Sequence, residues 1–237
     1  MIKNINNNDT SISVIDTQMQ LINVVELLSK IACHNNYLII GSILPHRVKQ
    51  IKLLLKEDAI HSKFKRVYFT HMLVSDSRFS FLLNSFYSLI IIAIILCLHS
   101  KFNIGVIGNY LNPTHRYFQY IADKISKNMV HFVVDDGANA IGNAAIRIQE
   151  ISQGKTKIIL NSKSSYMMFH FFLVRKNFIP AKINYFSIYN VDCVEPDNLI
   201  KNEYNYIRNI ELAKINIKPD SVIIIGQCLV EENIMKN

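Results

Sequence analysis

Residues 104–150 read IGVIGNYLNPTHRYFQYIADKISKNMVHFVVDDGANAIGNAAIRIQE. A short apolar run, Ile104–Gly108, gives way to a segment of helical spacing, Pro113–Lys127, with proline in its first turn. A second apolar run, His131–Val134, then ends in two adjacent carboxylates, Asp135 and Asp136, before Gly137 and a further helical segment, Asn139–Gln153. Strand, helix, strand, helix within 47 residues is the repeat of a parallel sheet. Continuous apolar strands without alternation mark a sheet covered on both faces.

The same alternation extends toward the N-terminus. Ser11–Ile15, Tyr37–Ile40 and Val67–Thr70 read as strands, and Met19–Cys33, Pro45–Glu57 and a long apolar segment around 77–99 as helices. The pattern predicts an α/β fold of the Rossmann-like class, a parallel sheet with helices on both faces. Beyond Gly154 it loosens. KTKIIL (155–160), INYFSIY (183–189) and SVIIIGQCL (221–229) are strand candidates, and SSYMMFHFFLVRK (164–176) and YNYIRNIELAKI (204–215) helices. The expected organisation is one domain over 10–155, its remainder and a connecting segment over 156–219, and the first strand of another domain over 220–237.

Composition narrows the function. Half the residues are hydrophobic and 19% charged, which suits a protein with a substantial core. The net charge of +8 favours anionic partners. The cations are scattered, as in HRVKQIKLLLK (46–56) and HSKFKR (61–66), without an arginine run or interleaved aromatics, so nucleic acid is not an expected partner. The opening MIKNINNND lacks the apolar core of a secretory signal. Four dispersed cysteines, with no CxxC pair, argue against a zinc site or disulfide framework and for a reducing, cytoplasmic setting. Phe81–Leu98 is uncharged over eighteen residues, near the minimum for a bilayer span. Its first half carries Asn84, Ser85, Tyr87 and Ser88, so a helix covered on several sides by protein is the expectation.

Ligands of open parallel sheets bind beyond the carboxyl ends of the strands. Those ends are Asp16–Gln20, Gly41–Ser42, Thr70–His71, Gly108–Tyr110 and Asp135–Gly137. The acidic pair has three readings. Asp136 could cap the following helix, the pair could join a magnesium shell, or one carboxylate could act as general base. Gly137 lets the backbone turn and a ligand approach. GANAIGNAAIR has the wrong glycine spacing for a dinucleotide loop, and neither a P-loop nor a GxSxG elbow occurs. The eight histidines form no ligand spacing, and each reads as a surface or satisfied residue.

Four stretches, in order, carry a resemblance. TQMQLINVVELL (17–28) resembles the opening S-P-L-Q-L-L-N-A-I-E of bacterial lipooligosaccharide and capsule sialyltransferases. VIGNYLNPTHRYFQYIADKI (106–125) looks like their glycine–asparagine strand end and helix. VVDDGANAI (133–141) is similar to their acidic D/E-D/E-G motif, and VIIIGQCLVEE (222–232) to the I-G-Q-P-L-x-E that opens their second domain. The resemblance implies a GT-B glycosyltransferase, of which this chain carries the N-terminal half. Such an enzyme transfers sialic acid from CMP-sialic acid to a surface glycan or glycolipid, with inversion, no cofactor and no metal in the chemistry. It implies Asp135 as general base, with Asp136 the fallback and the helix cap. It further implies Gln20, Asn109, Tyr110 and Gly137 on the acceptor side, and Gly226 and Gln227 on the donor side of the cleft. Gln18, Met19 and Cys228 depart from the motifs, and the family's His-Pro pair is missing. An incomplete enzyme, or a non-catalytic saccharide-binding or remnant domain, is therefore expected. A nucleotide-binding regulator ranks third. The basic helix around 45–57 suits peripheral contact with an anionic membrane face.

Overall fold

The structure, a computed structural model, describes residues 9–42, 44–70, 78–99, 102–126, 128–134, 137, 139–156 and 177–214. Seven strands are described: β1 (Thr10–Ile15), β2 (Asn35–Ile40), β3 (Arg66–Phe69), β4 (Ile104–Ile107), β5 (Val130–Val134), β6 (Asn184–Ser187) and β7 (Asn198–Lys201). They form one sheet in the order β3-β2-β1-β4-β5-β6-β7, parallel at every pairing. The Rossmann-like α/β expectation holds at this level.

The helices are α1 (Gln18–Lys30), α2 (Pro45–Leu54), α3 (Asp58–His61), α4 (Arg78–Leu98), α5 (Pro113–Ile125), α6 (Asn139–Gln153) and α7 (Asn205–Lys214). Successive strand residues point to opposite faces, which divides the apolar residues into two cores. Val14, Ile39, Ile107 and Val133 pack with Ile95 of α4, Phe118 of α5 and Ala144 of α6. Ile15, Leu38, Val106 and Phe132 pack with Leu21 and Val24 of α1, Ile51 of α2 and Ile60 of α3, and Ile207 of α7 lies against that core.

Several boundaries differ from expectation. The single helix expected over 45–57 is two, with Leu55–Glu57 turning between them. The break brings Ile60 and Phe64, each 6% exposed, into the core. The helix expected to reach Cys33 stops at Lys30, and Ala32 takes a left-handed φ of 52°. The strand β7 was not foreseen. Among the described residues it lies at the sheet edge, with half-buried apolar residues at Leu199 and Ile200 only, too few to register as an apolar run. The expected elements at 155–160, 164–176 and 221–229 lie outside the described residues.

Among the described residues the apolar helix α4 is covered on one side, by the sheet and α5. Ile92, Ile95 and Leu96 are buried, whereas Ile90, Ile94 and Leu98 are exposed. Ser88 ties the helix to the sheet by donating its hydroxyl to the Thr70 carbonyl at 2.6 Å. Among the described residues no helix is long and apolar enough to cross a membrane.

Candidate functional site

After β1 the chain leaves into α1 on one face of the sheet, and after the adjacent β4 it leaves into α5 on the other. The carboxyl edge between these two strands is the switch point, where ligands of such sheets bind. Asp16 follows the last residue of β1 and occupies this gap.

Glycines flank Asp16 on both neighbouring strands. Gly41 and Gly108 prolong the sheet ladder, donating to the carbonyls of Ile15 at 2.8 Å and Val14 at 3.0 Å. A Cβ at Gly41 would stand 2.7 Å from Asp16 Oδ1, and one at Gly108 only 2.1 Å from Gln20 Oε1. Both positions therefore need glycine for a close approach.

Helix α1 starts with Thr17 as N-cap, whose hydroxyl accepts from the Gln20 amide at 3.3 Å. The Gln20 side chain turns back toward β4 and accepts the Asp16 backbone N–H at 2.7 Å. At 1% exposure it faces no open cleft. The space that a glycine-rich loop leaves for a pyrophosphate is filled by the chain's own side chain.

From the β4 side, Asn112 caps α5 with Pro113 behind it. Its carbonyl oxygen accepts from Thr114 N–H at 2.9 Å, and its amide donates to Asp16 Oδ2 at 2.5 Å. His115 is fully buried one residue further on. Its Nδ1 accepts the Asn109 backbone N–H at 3.0 Å. Its other nitrogen, Nε2, lies 3.2 Å from Asp16 Oδ2, within ion-pair range but off the line of a hydrogen bond. Burial pushes the Asp16 carboxyl up, but His115 and Arg47 outweigh it and hold the group below its ordinary value.

Asn109 lies at this edge, with its side chain accepting from Leu111 N–H at 2.9 Å. Tyr110 turns inward instead. It is fully buried and donates its hydroxyl to Glu150, with the Arg116 guanidinium 4.2 Å above its ring. Burial first, and the Glu150 carboxylate with it, raise this phenol far above its ordinary range. Arg116 also pairs with Glu150 at 3.2 Å, and Arg147 with Asp197 at 3.0 Å. These buried ions form the frame that holds the loop after β4.

Gly137 has a φ of +67°, and open space surrounds its Cα on the side a Cβ would take. Its carbonyl accepts from Ala140 N–H at 3.1 Å as α6 begins. Asp135 and Asp136, next in sequence after β5, lie outside the described residues, as do Gly226 and Gln227. The structure thus brings Gln20 and Asn109 together at one crevice and leaves Tyr110 beneath it. Asp16, Asn112 and His115 were not singled out by sequence as site residues. The signal was there in Asn-Pro-Thr-His, a helix cap that sets a histidine at the third helical position, beside the neighbouring strand end.

A second concavity, about 270 Å³, lies between α1 and α7 and is lined by Glu26, Lys30, Asn202 and Asn205 among others. Of its two carboxylates, Glu26 and Glu203, the first is committed to structure. Glu26 accepts the N–H groups of Tyr206 and Ile207 at 3.1 and 2.6 Å, capping α7. Among the described residues no group of three or more His, Cys, Asp or Glu is placed to hold a metal ion. Compared with family models, with curated proteins and with solved structures, the chain matches none.

Proposed function

We propose that this chain carries the acceptor-side, Rossmann-type domain of a GT-B glycosyltransferase similar to the bacterial lipooligosaccharide and capsule sialyltransferases. The observation that carries this reading is the carboxyl edge of three adjacent strands. There β1 leads into Asp16, β4 into Gly108 and Asn109, and β5 into the sequence Asp135–Asp136–Gly137. Among the described residues the edge carries the Asp16 carboxylate and the Asn109 and Asn112 side chains, with His115 buried behind them, and Gln20 fills the place where a dinucleotide would need an open glycine loop. Such an edge suits hydroxyl groups.

In this reading Asp135 removes the proton from an acceptor hydroxyl as its oxygen attacks the anomeric carbon of sialic acid. A new carbon–oxygen bond forms, the bond to CMP breaks with inversion, and the proton passes to the carboxylate. Asp136 is the fallback base, and Gly226 and Gln227 belong to the donor side of the cleft. Basic residues of α2 such as Lys49 and Lys52 support peripheral contact with an anionic membrane face.

The test is a transfer assay with CMP-sialic acid and a lactose acceptor, run beside a saccharide-binding titration. Transfer that falls about 10²–10⁴-fold in Asp135→Asn supports the assignment. Saccharide binding without transfer moves the chain to the non-catalytic binding class. Binding of a nucleotide but of no saccharide would reject both.

A further inference from the structure

At the opposite end of the strands, the β4–β5 pair holds a histidine with one ring nitrogen unused. Gly105 and His131 are register partners in this pair. His131 is 4% exposed, and its Nε2 lies 2.5 Å from Asp123 Oδ1 of α5. A carboxylate accepts, so Nε2 carries a proton and the bond fixes the ring. Nδ1 is buried and has no hydrogen-bond partner, a costly state for a ring nitrogen.

Met129 borders that nitrogen. Residues 129 and 131 share one face of an extended chain, and Met129 is buried in the core on that face. A Cβ on Gly105 would stand 2.7 Å from Met129 Sδ and 3.3 Å from His131 Nδ1. The missing side chain opposite the histidine thus lets a thioether sulfur and an unpaired imidazole nitrogen approach one point. Asn184 holds the strand there, donating its amide to the His131 carbonyl at 3.1 Å.

The donor set selects the ligand. A carboxylate on one imidazole nitrogen, with the other left free, is the outer-shell arrangement of a metal-binding histidine. A thioether favours soft Cu⁺ over calcium or magnesium, and Cu⁺ is satisfied by as few as two ligands. Charge agrees with this choice. The Asp123 carboxylate balances one positive charge across the ring, whereas a divalent ion would leave a buried excess. Zinc needs a fuller shell, and among the described residues no group of three His, Cys, Asp or Glu is placed to supply it. The Asp123 side chain is 32% exposed, so an ion has only a short way to travel from solvent.

We infer that Met129 Sδ and His131 Nδ1 form a binding site for a soft monovalent cation of the Cu⁺ type, with Asp123 as its positioning residue. The site is independent of the saccharide reading and lies at the other end of the strands from it.

The experiment adds Ag⁺, soft and monovalent but stable in air, to the full chain with isotope-labelled methionine methyls and histidine ring nitrogens. NMR follows the titration past the amount that the four cysteine thiols take up. The Met129 methyl signal, identified by its loss in Met129→Leu, and the His131 Nδ1 signal move together and saturate. Zn²⁺ added in the same way moves neither. Met129→Leu, nearly the same size, keeps the melting temperature and weakens silver binding read at His131 at least about tenfold, and Asp123→Asn weakens it about 10–100-fold. If Asp123→Asn does not fold, Met129→Leu carries the comparison. Met129 and His131 signals that stay in place under excess silver, or a His131 response unchanged in Met129→Leu, overturn the site.

Discussion

Asn112 joins two strands' ends with one side chain: its carbonyl oxygen caps α5 at Thr114 while its amide reaches Asp16 Oδ2 at 2.5 Å across the β1–β4 gap. The helix cap and the site carboxylate are therefore one construction. Replacing Asn112 with Ala removes a cap worth about 1 kcal/mol and a hydrogen bond to a charged group worth about 1.5–3 kcal/mol. Thermal unfolding followed by circular dichroism should show a melting point roughly 5–16 °C lower. Asn112→Asp keeps the cap but faces Asp16 with a second carboxylate, so the account expects it to recover little of the loss.

Gly108→Ala tests the packing of Gln20. The new methyl would stand 2.1 Å from Gln20 Oε1 and must displace it. The Asp16 backbone N–H then loses its acceptor, at about 1–3 kcal/mol for a donor left unpaired. Urea denaturation with an unchanged slope and a lower midpoint is the expected result. A midpoint equal to wild type would mean that Gln20 does not hold the switch-point loop.

The ion pair of Arg147 and Asp197 is nearly inaccessible, at 2% and 1% side-chain exposure. Asp197 also accepts the Ile183 N–H at 2.8 Å, so the pair ties α6 to the start of β6. Asp197→Ala strands a buried guanidinium and should destabilise by about 3–5 kcal/mol. The double variant Arg147→Met/Asp197→Leu should be markedly less damaged than that single change, because no charge is left buried alone. Additive losses in the cycle would show that the two residues do not act as a unit.

Acid sensitivity follows from Asp16. Its folded-state value lies below the ordinary 3.8. As pH falls through 3.8 the unfolded chain takes up a proton before the folded one does, so stability declines with falling pH in this window. The contribution is complete above the unfolded value and disappears as pH drops through the folded one. Asp16→Asn should be less stable near neutrality and flatter in its dependence below pH 4, as measured by melting temperature against pH.

How much of this was legible beforehand differs between fold and site. Strands such as Ile104–Ile107 and Val130–Val134 announce themselves because both faces are buried and every residue except His131 is apolar or glycine. Strand β7, paired on one side among the described residues, carries two apolar residues and so left no pattern. Gln20 and Asn109 could be placed at strand ends by counting along the chain. Their roles could not, since Gln20 folds back onto Asp16 only because Gly108, 88 positions later, leaves it room. His115 looked like any dispersed histidine, and its meaning comes from Asn109 and Asp16 closing on it in space. Tyr110 sits one residue from the edge, yet the buried Glu150 draws its hydroxyl away.

The central claim is that the β1–β4 switch point, not another surface, receives a saccharide. Two-dimensional NMR of the isotope-labelled chain titrated with lactose tests it directly. The account predicts the largest amide shifts at Asp16, Gly41, Gly108 and Asn109. Shifts confined to Asn205, Tyr206 and Asn209, in the groove between α1 and α7, or no shifts at all, would contradict it.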